Sequence, residues 1–354
     1  MNAPGGPGTA PATNAGGRDA GPTAEATNAP GGPGGRHRWR RVLRPVLTVA
    51  FVAAVVGGVT VALRGQQWSA LGRLLRPETA GWLFAALVVT AVGLLCGTRA
   101  WTLTLAALGA PVPTGAGIRM FFVGFLGKFV PGRLWGLLAQ LRLGEQAGVS
   151  RVRMAGTYLV NLVVVMLTGG AVGLLVAPAV LGTGLAWLLV PVALLAVLVV
   201  RPGVIDTLVA LAARVTRRPP PATLTRPADV RRSIGYQSLS WVLSGVHLWV
   251  LAVLLGAEAG TALPVAVGAF ALATTAGTLA LFVPDGAGVR EVIVVAALAT
   301  VLPLPAAVTA AIASRVLTTL AEILTAGTAL AAVALRERAT RPATARLTPT
   351  PTTS

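Results

Sequence analysis

The sequence predicts an all-α polytopic membrane protein, with about six full spans and two re-entrant helical hairpins arranged as an inverted repeat, or eight to ten apolar segments if the hairpins themselves span. Three observations carry this. The 354-residue chain is 55% hydrophobic and 11% charged, with a mean hydropathy of +0.76, which is too little polar surface to close a water-soluble globule. Several of its uncharged runs approach or exceed the roughly 20 residues that cross a bilayer. The basic residues behind the net charge of +18 sit in the terminal segments and in the loops between those runs, as the cytoplasmic flanks of membrane spans do. Because no aromatic stacking surface accompanies them, they do not predict a nucleic-acid partner. Cys96, the single cysteine, lies inside an apolar run and permits no intramolecular disulfide. The two histidines, His37 and His247, have no clustered carboxylates beside them, so the expectation is no metal and no cofactor.

Residues 1–41 are rich in Gly, Pro and Ala and end in a basic stretch, which predicts a disordered cytoplasmic tail. Five Arg between Arg36 and Arg44 precede the uncharged run Val46 to Leu63, which reads as an uncleaved signal anchor leading outward. The transmembrane domain is expected over 42–338, followed by a disordered cytoplasmic tail over 339–354. Gln66 to Arg76 alternates apolar and basic residues and reads as an outer interfacial segment. Gly81 to Thr98 returns to the cytoplasm, with Arg99 and Trp101 expected at the headgroup level. After a Pro-containing loop, Ile118 to Leu141 carries Arg119, Lys128 and Arg133 and breaks at Pro131-Gly132. Neither half can cross a core of about 30 Å, so a hairpin entering and leaving on the cytoplasmic side is expected.

Met154 to Leu181 then leads outward and Leu185 to Val200 returns. Arg201 to Arg232 holds seven Arg and is the strongest cytoplasmic marker in the chain. Ile234 to Ala257 crosses outward to a short loop with Glu258. Leu263 to Val283 and Val292 to Leu302 flank a break at Pro284 and form either two short spans or a second hairpin, this one entering from outside. Ala306 to Leu335 completes the set, reaching Arg336 and Arg338 in the cytoplasm. Corresponding interrupted segments in two inverted halves point to a transporter-type site.

The two breaks share Phe-Val-Pro followed by Gly and Arg: Gly127 to Trp135, and Phe282 to Glu291. After Pro284, Asp285 is suited to cap a helix starting at Gly286-Ala287-Gly288, whose bare backbone N–H groups attract an anion. Pro131, Gly132 and Arg133 suit a matching helix start. Lys128 is the sole lysine among 29 basic residues. Arg315 falls about 13 Å into the last predicted helix, with Glu322 two turns further on the same face, and a charge at that depth requires a partner. The candidates are Asp285, Glu291 or a substrate phosphate. Two blander readings stay open, an internal ion pair of Arg315 with Glu291 or Glu322 and a solvated turn at Arg290 and Glu291. His247, in mid-span, reads as a hydrogen-bonded packing residue.

Gly127-Lys128-Phe129-Val130-Pro131-Gly132 with Trp135, and Pro284-Asp285-Gly286-Ala287-Gly288-Val289-Arg290-Glu291, resemble the signatures of the lysylphosphatidylglycerol synthase transmembrane-region family, with Arg315 similar to an arginine of its last helices. The resemblance covers roughly Val46 to Leu335. It implies a flippase-like plasma-membrane domain that moves a phospholipid or polyprenyl-linked lipid between leaflets. Lys128, Arg133, Arg290 and Arg315 and the helix starts at Pro131, Gly132, Pro284, Gly286 and Gly288 would hold an anionic headgroup or lipid phosphate. Asp285 and Glu291 would orient those cations or select a cationic headgroup, and Glu322 completes the expected site. Family members with synthase activity add a soluble aminoacyl-transferase domain. Because 19 residues follow Leu335, the expectation here is no enzyme, with a separate synthase or envelope enzyme as partner. The alternatives are a membrane-embedded lipid-modifying enzyme or subunit, and a scaffold for cell-envelope assembly.

Overall fold

Uncharged runs without strong helix breakers fold as helices, since a helix satisfies every backbone polar group internally. The computed structural model describes residues 72–129, 134–176, 186–215, 217, 226–279 and 284–340. All of them belong to one compact unit, 62–354. The expected first span, Val46 to Leu63, the N-terminal tail and the C-terminal tail beyond Thr340 lie outside the described residues, while residues 339 and 340, expected in the tail, continue the last helix. Among the described residues the helices are α1 (Ala80–Ala107), α2 (Thr114–Leu126), α3 (Leu134–Gln146), α4 (Arg151–Gly173), α5 (Ala186–Val200), α6 (Val204–Val215), α7 (Pro227–Leu254), α8 (Ala259–Leu279), α9 (Val289–Leu298) and α10 (Leu304–Thr340). Short 3-10 turns at Gly127–Phe129 and Pro284–Gly286 mark the two breaks.

Among the described residues five helices, α1, α4, α7, α8 and α10, are long and apolar enough to cross a membrane. α5, expected as a full span, has 15 residues with Pro191 inside and is shorter. α2 and α3 have 13 residues each, about 20 Å per arm, too little to cross singly. The second interrupted pair is unequal. α8 has 21 residues and α9 only 10, so one arm has the length of a span and the other half of it.

Two further elements of the fold differ from expectation. α1 does not stop at Thr98 but runs to Ala107, because nothing breaks it before Gly109, whose φ of 75° ends the helical path. Trp101 is thereby carried inside the bundle. It is 2% exposed and packs with Leu105, Met120 and Met154. Within the Arg-rich segment, α6 forms an amphipathic helix that buries Ile205 and Ala213 and leaves Val204 and Leu211 exposed. Apolar residues recurring every three or four positions outweigh the loop-like charge there.

The bundle is held by small-residue contacts, as expected where lipid removes the hydrophobic drive for helices to associate. α1 and α7 lie against each other along their length. A Cβ on Gly93 would come within 3.0 Å of the Ser244 backbone N. Ser240 Oγ donates to the Gly93 carbonyl at 2.7 Å, and Ser233 Oγ donates to that of Ala100 at 2.9 Å. Trp241 Nε1 donates to Thr168 Oγ1 at 3.0 Å and ties α7 to α4. The largest apolar core, from Leu248 and Phe270 to Ala297 and Ala310, joins α7 to α10 and supports the second break.

Glu258 begins α8 by accepting the backbone N–H groups of Gly260 at 2.8 Å and Thr261 at 2.7 Å. Those bonds, Thr261's first, hold its carboxyl below the usual carboxylate range. A carboxyl depressed by folding stabilises the fold above its unfolded pKa, and that contribution is lost as pH falls through the folded value. Glu258→Ala is therefore expected to melt below the native protein at neutral pH, by a margin that narrows as the solution is acidified through the folded pKa, as measured by thermal denaturation in detergent.

Candidate functional site

The first break is built on glycine contacts. A Cβ at Gly127 would lie 2.7 Å from the Gly136 Cα, and one at Gly136 would lie 2.4 Å from the Gly124 carbonyl oxygen. The α2 and α3 backbones thus touch directly, and Lys128 sits in the turn at the end of α2. Its ammonium lies 4.3 Å from the Phe125 ring centroid and 5.1 Å from that of Phe129, within cation–π range. The predicted site residues Pro131, Gly132 and Arg133 lie outside the described residues.

The second break corrects the expected helix start. Asp285 does not cap a helix beginning at Gly286. α9 begins at Val289, with Gly288 as its N-cap. Asp285, Gly286 and Gly288 have φ of 47°, 65° and 85°, left-handed values that no helical first turn accepts. Glu291, at the third position of α9, accepts the Gly288 N–H at 2.6 Å through Oε2 and so caps the helix itself. Pro284 opens the 3-10 turn. Gly286 lies against Gly277 of α8, where a Cβ on Gly286 would be 2.4 Å from the Gly277 Cα. The hairpin closes only because both positions lack side chains.

With Asp285 freed from capping, its carboxylate faces cations from three parts of the chain. Oδ1 is 3.2 Å from Lys128 Nζ. Oδ2 is 3.2 Å from Arg290 and 3.0 Å from Arg315. Arg315 also donates to the Asp285 backbone carbonyl at 3.2 Å and lies 3.7 Å from Glu291 Oε1. Glu322 accepts from Lys128 at 2.6 Å. The two breaks are thus joined by the Lys128–Asp285 pair, and each is tied to α10. The six side chains are 10% to 31% exposed, which is low enough for an unpaired member to be costly. Three cations face three carboxylates and the cluster is neutral.

Of the predicted residues, then, Lys128, Asp285, Arg290, Glu291, Arg315 and Glu322 come together. Gly286 shapes the turn that carries Asp285, and Gly288 starts α9. Sequence reasoning missed Phe125, Phe270 and Ser314. Phe125 was legible as an aromatic residue one turn before the lone lysine. Phe270, 5.7 Å beneath the Arg290 guanidinium, lies on a different helix and gave no local signal. His247 is fully buried and edge-on to Phe270 at 5.0 Å. Its Nδ1–H donates to the Ser244 carbonyl, and Nε2 accepts from the Ser314 hydroxyl at 2.7 Å. That bond orients Ser314 on the wall of a small cleft. Phe270, Arg290, Glu291, Ser314 and Arg315 line the cleft, which has room for about one water molecule. It places two guanidinium groups, a hydroxyl and an apolar wall around that space.

A comparison with curated proteins finds no match. The family model described as the lysylphosphatidylglycerol synthase TM region matches residues 45–326, a stretch that contains both breaks and all six charges of the cluster. With membrane-length apolar helices around that cluster, the chain is a multi-pass membrane protein and belongs to the lysylphosphatidylglycerol synthase TM region family.

Proposed function

We propose that the protein is a flippase-like transporter that moves a phospholipid or polyprenyl-linked lipid between the leaflets of the plasma membrane, without itself carrying out lipid chemistry. The observation that carries this reading is the meeting of two helix breaks and a long apolar helix at one neutral cluster of largely buried charge. Charges among apolar helices are costly and tend to mark substrate paths, and breaks of this kind line binding sites in transporters. The anionic headgroup or phosphate is held by Lys128, Arg290 and Arg315, with Glu291 and Glu322 as the cations' fixed counter-charges. On this reading the short arms α2, α3 and α9 are re-entrant, both termini are cytoplasmic, and a separate synthase or envelope enzyme supplies or uses the lipid. The Arg-rich segment 201–232 supports that orientation.

The test is leaflet exchange of fluorescent phospholipid in proteoliposomes, read by chemical quenching of the outer leaflet. Arg315→Ala removes a charge-assisted contact to phosphate, and the exchange rate is expected to fall about 10-fold or more. An unchanged rate, in protein of native melting temperature, removes the cluster from the transport path.

A further inference from the structure

We propose that the Asp285 carboxylate is an internal stand-in for the substrate's phosphate, and that the group which displaces it is a phosphodiester carrying one negative charge. The proposal rests on the lipid-transport reading and makes its ligand specific.

Asp285 alone among the three carboxylates of the cluster faces all three cations. Its two oxygens divide between Lys128 on one side and Arg290 with Arg315 on the other. The two non-bridging oxygens of a phosphodiester present the same donor-seeking arrangement, and guanidinium groups bind phosphate and carboxylate oxygens alike. The cations do not depend on Asp285 to stay in place. Lys128 retains Glu322 at 2.6 Å and the Phe125 and Phe129 rings. Arg315 retains Glu291, and Arg290 retains the face of Phe270. Once Asp285 leaves, a preorganised anion site remains.

Asp285 is also built to leave. It is held in left-handed backbone conformation at φ 47°, ψ 27°, uncommon for a residue with a side chain. Gly286 is held against Gly277, but Gly288, also at positive φ, has no atom within 4 Å of an added Cβ, leaving the turn one position free to rotate. Glu291 has no such freedom, because Oε2 is engaged in capping α9 while Oε1 faces Arg315. Arg290 and Arg315 both line the narrow cleft, so withdrawal of Asp285 is the step that opens their guanidinium groups to an incoming anion.

Charge counting then selects the ligand. With Asp285 withdrawn, Lys128, Arg290 and Arg315 face Glu291 and Glu322, leaving one positive charge uncompensated. A monoanionic phosphodiester restores neutrality. A zwitterionic headgroup leaves a positive excess and a dianionic phosphomonoester a negative one, both disfavoured among apolar helices.

The experiment compares exchange of labelled phosphatidylglycerol (monoanionic diester), phosphatidylethanolamine (zwitterion) and phosphatidic acid (monoester) by native protein and by Asp285→Asn in proteoliposomes. Native protein is expected to move phosphatidylglycerol about 10-fold faster than either of the others, the ratio that a 1.4 kcal/mol preference produces. Asp285→Asn, lacking the internal competitor, is expected to half-saturate at a several-fold lower fraction of phosphatidylglycerol. Inorganic phosphate at millimolar concentration is expected to leave that exchange unchanged; inhibition by it assigns the subsite to a free phosphate and overturns the lipid assignment. Equal native rates for the three lipids overturn the charge selection. Loss of all exchange in folded Asp285→Asn shows that the carboxylate is part of the working site and overturns the stand-in. If Asp285→Asn does not fold, the three-lipid comparison on native protein still decides the ligand class. Failure here with Arg315→Ala still inactive leaves the transport reading standing, whereas an active Arg315→Ala removes both.

Discussion

Gly286→Val is expected to destabilise the protein by about 2–5 kcal/mol, combining an overpacking term with the left-handed penalty on a β-branched residue. The position has φ 65°, and a Cβ there falls 2.4 Å from the Gly277 Cα, a backbone atom that no rotamer change moves aside. The second hairpin must open for the side chain to fit, and opening it carries Asp285 away from Lys128 and Arg315. The control is Gly288→Ala. Its φ of 85° is also left-handed, but no atom lies within 4 Å of the added Cβ, so only the conformational cost of about 1–2 kcal/mol applies. Melting temperatures of the two variants in detergent measure the difference. Equal shifts for both would show that the Gly277–Gly286 approach does not hold the hairpin closed.

Lys128→Met is expected to cost about 2–4 kcal/mol, somewhat less than the full cost of breaking a deeply buried pair because the lysine is partly exposed. The substitution keeps most of the length of the side chain and removes its charge. Glu322, 10% exposed, is left without the ammonium that neutralises it, and Asp285 loses one of three cations. Glu322→Gln alone is expected to cost less, since Lys128 keeps Asp285 as a partner. The double variant is expected to be more stable than the sum of the two single changes allows, by about 1–3 kcal/mol of coupling. Equilibrium unfolding of the four proteins closes the cycle, and additive costs would dissolve the proposed link between the first break and α10. By contrast, the Arg119–Glu337 pair, 44% and 50% exposed at its two side chains, is worth about 1 kcal/mol at most, and its removal should be close to neutral.

The helical, multi-pass architecture was legible without coordinates, because apolar runs of bilayer length have few other ways to satisfy their backbones. The two breaks were legible for the same reason, as Pro and Gly clusters inside such runs. The partners of the charges were not. Arg315 had three eligible carboxylates in the sequence, and only packing separated Asp285 and Glu291 from Glu322, which Lys128 takes instead. The start of α9 was misplaced because a capping residue followed by small ones looks like a helix entrance, while Asp285, Gly286 and Gly288 take positive φ and Gly286 lies against Gly277 across the hairpin.

Composition and pattern by themselves determined that this chain lives in a membrane, that it breaks twice and that a few charges lie among its apolar helices, since each of these is a local property. Tertiary structure alone decided that the breaks meet, that Asp285 rather than Glu291 lies between three cations and that Phe270 and Ser314 belong to the same cleft. The physical reason is that charges in an apolar bundle must be neutralised by whichever partner the backbone brings within about 4 Å, and that distance depends on glycine contacts between segments far apart in the chain.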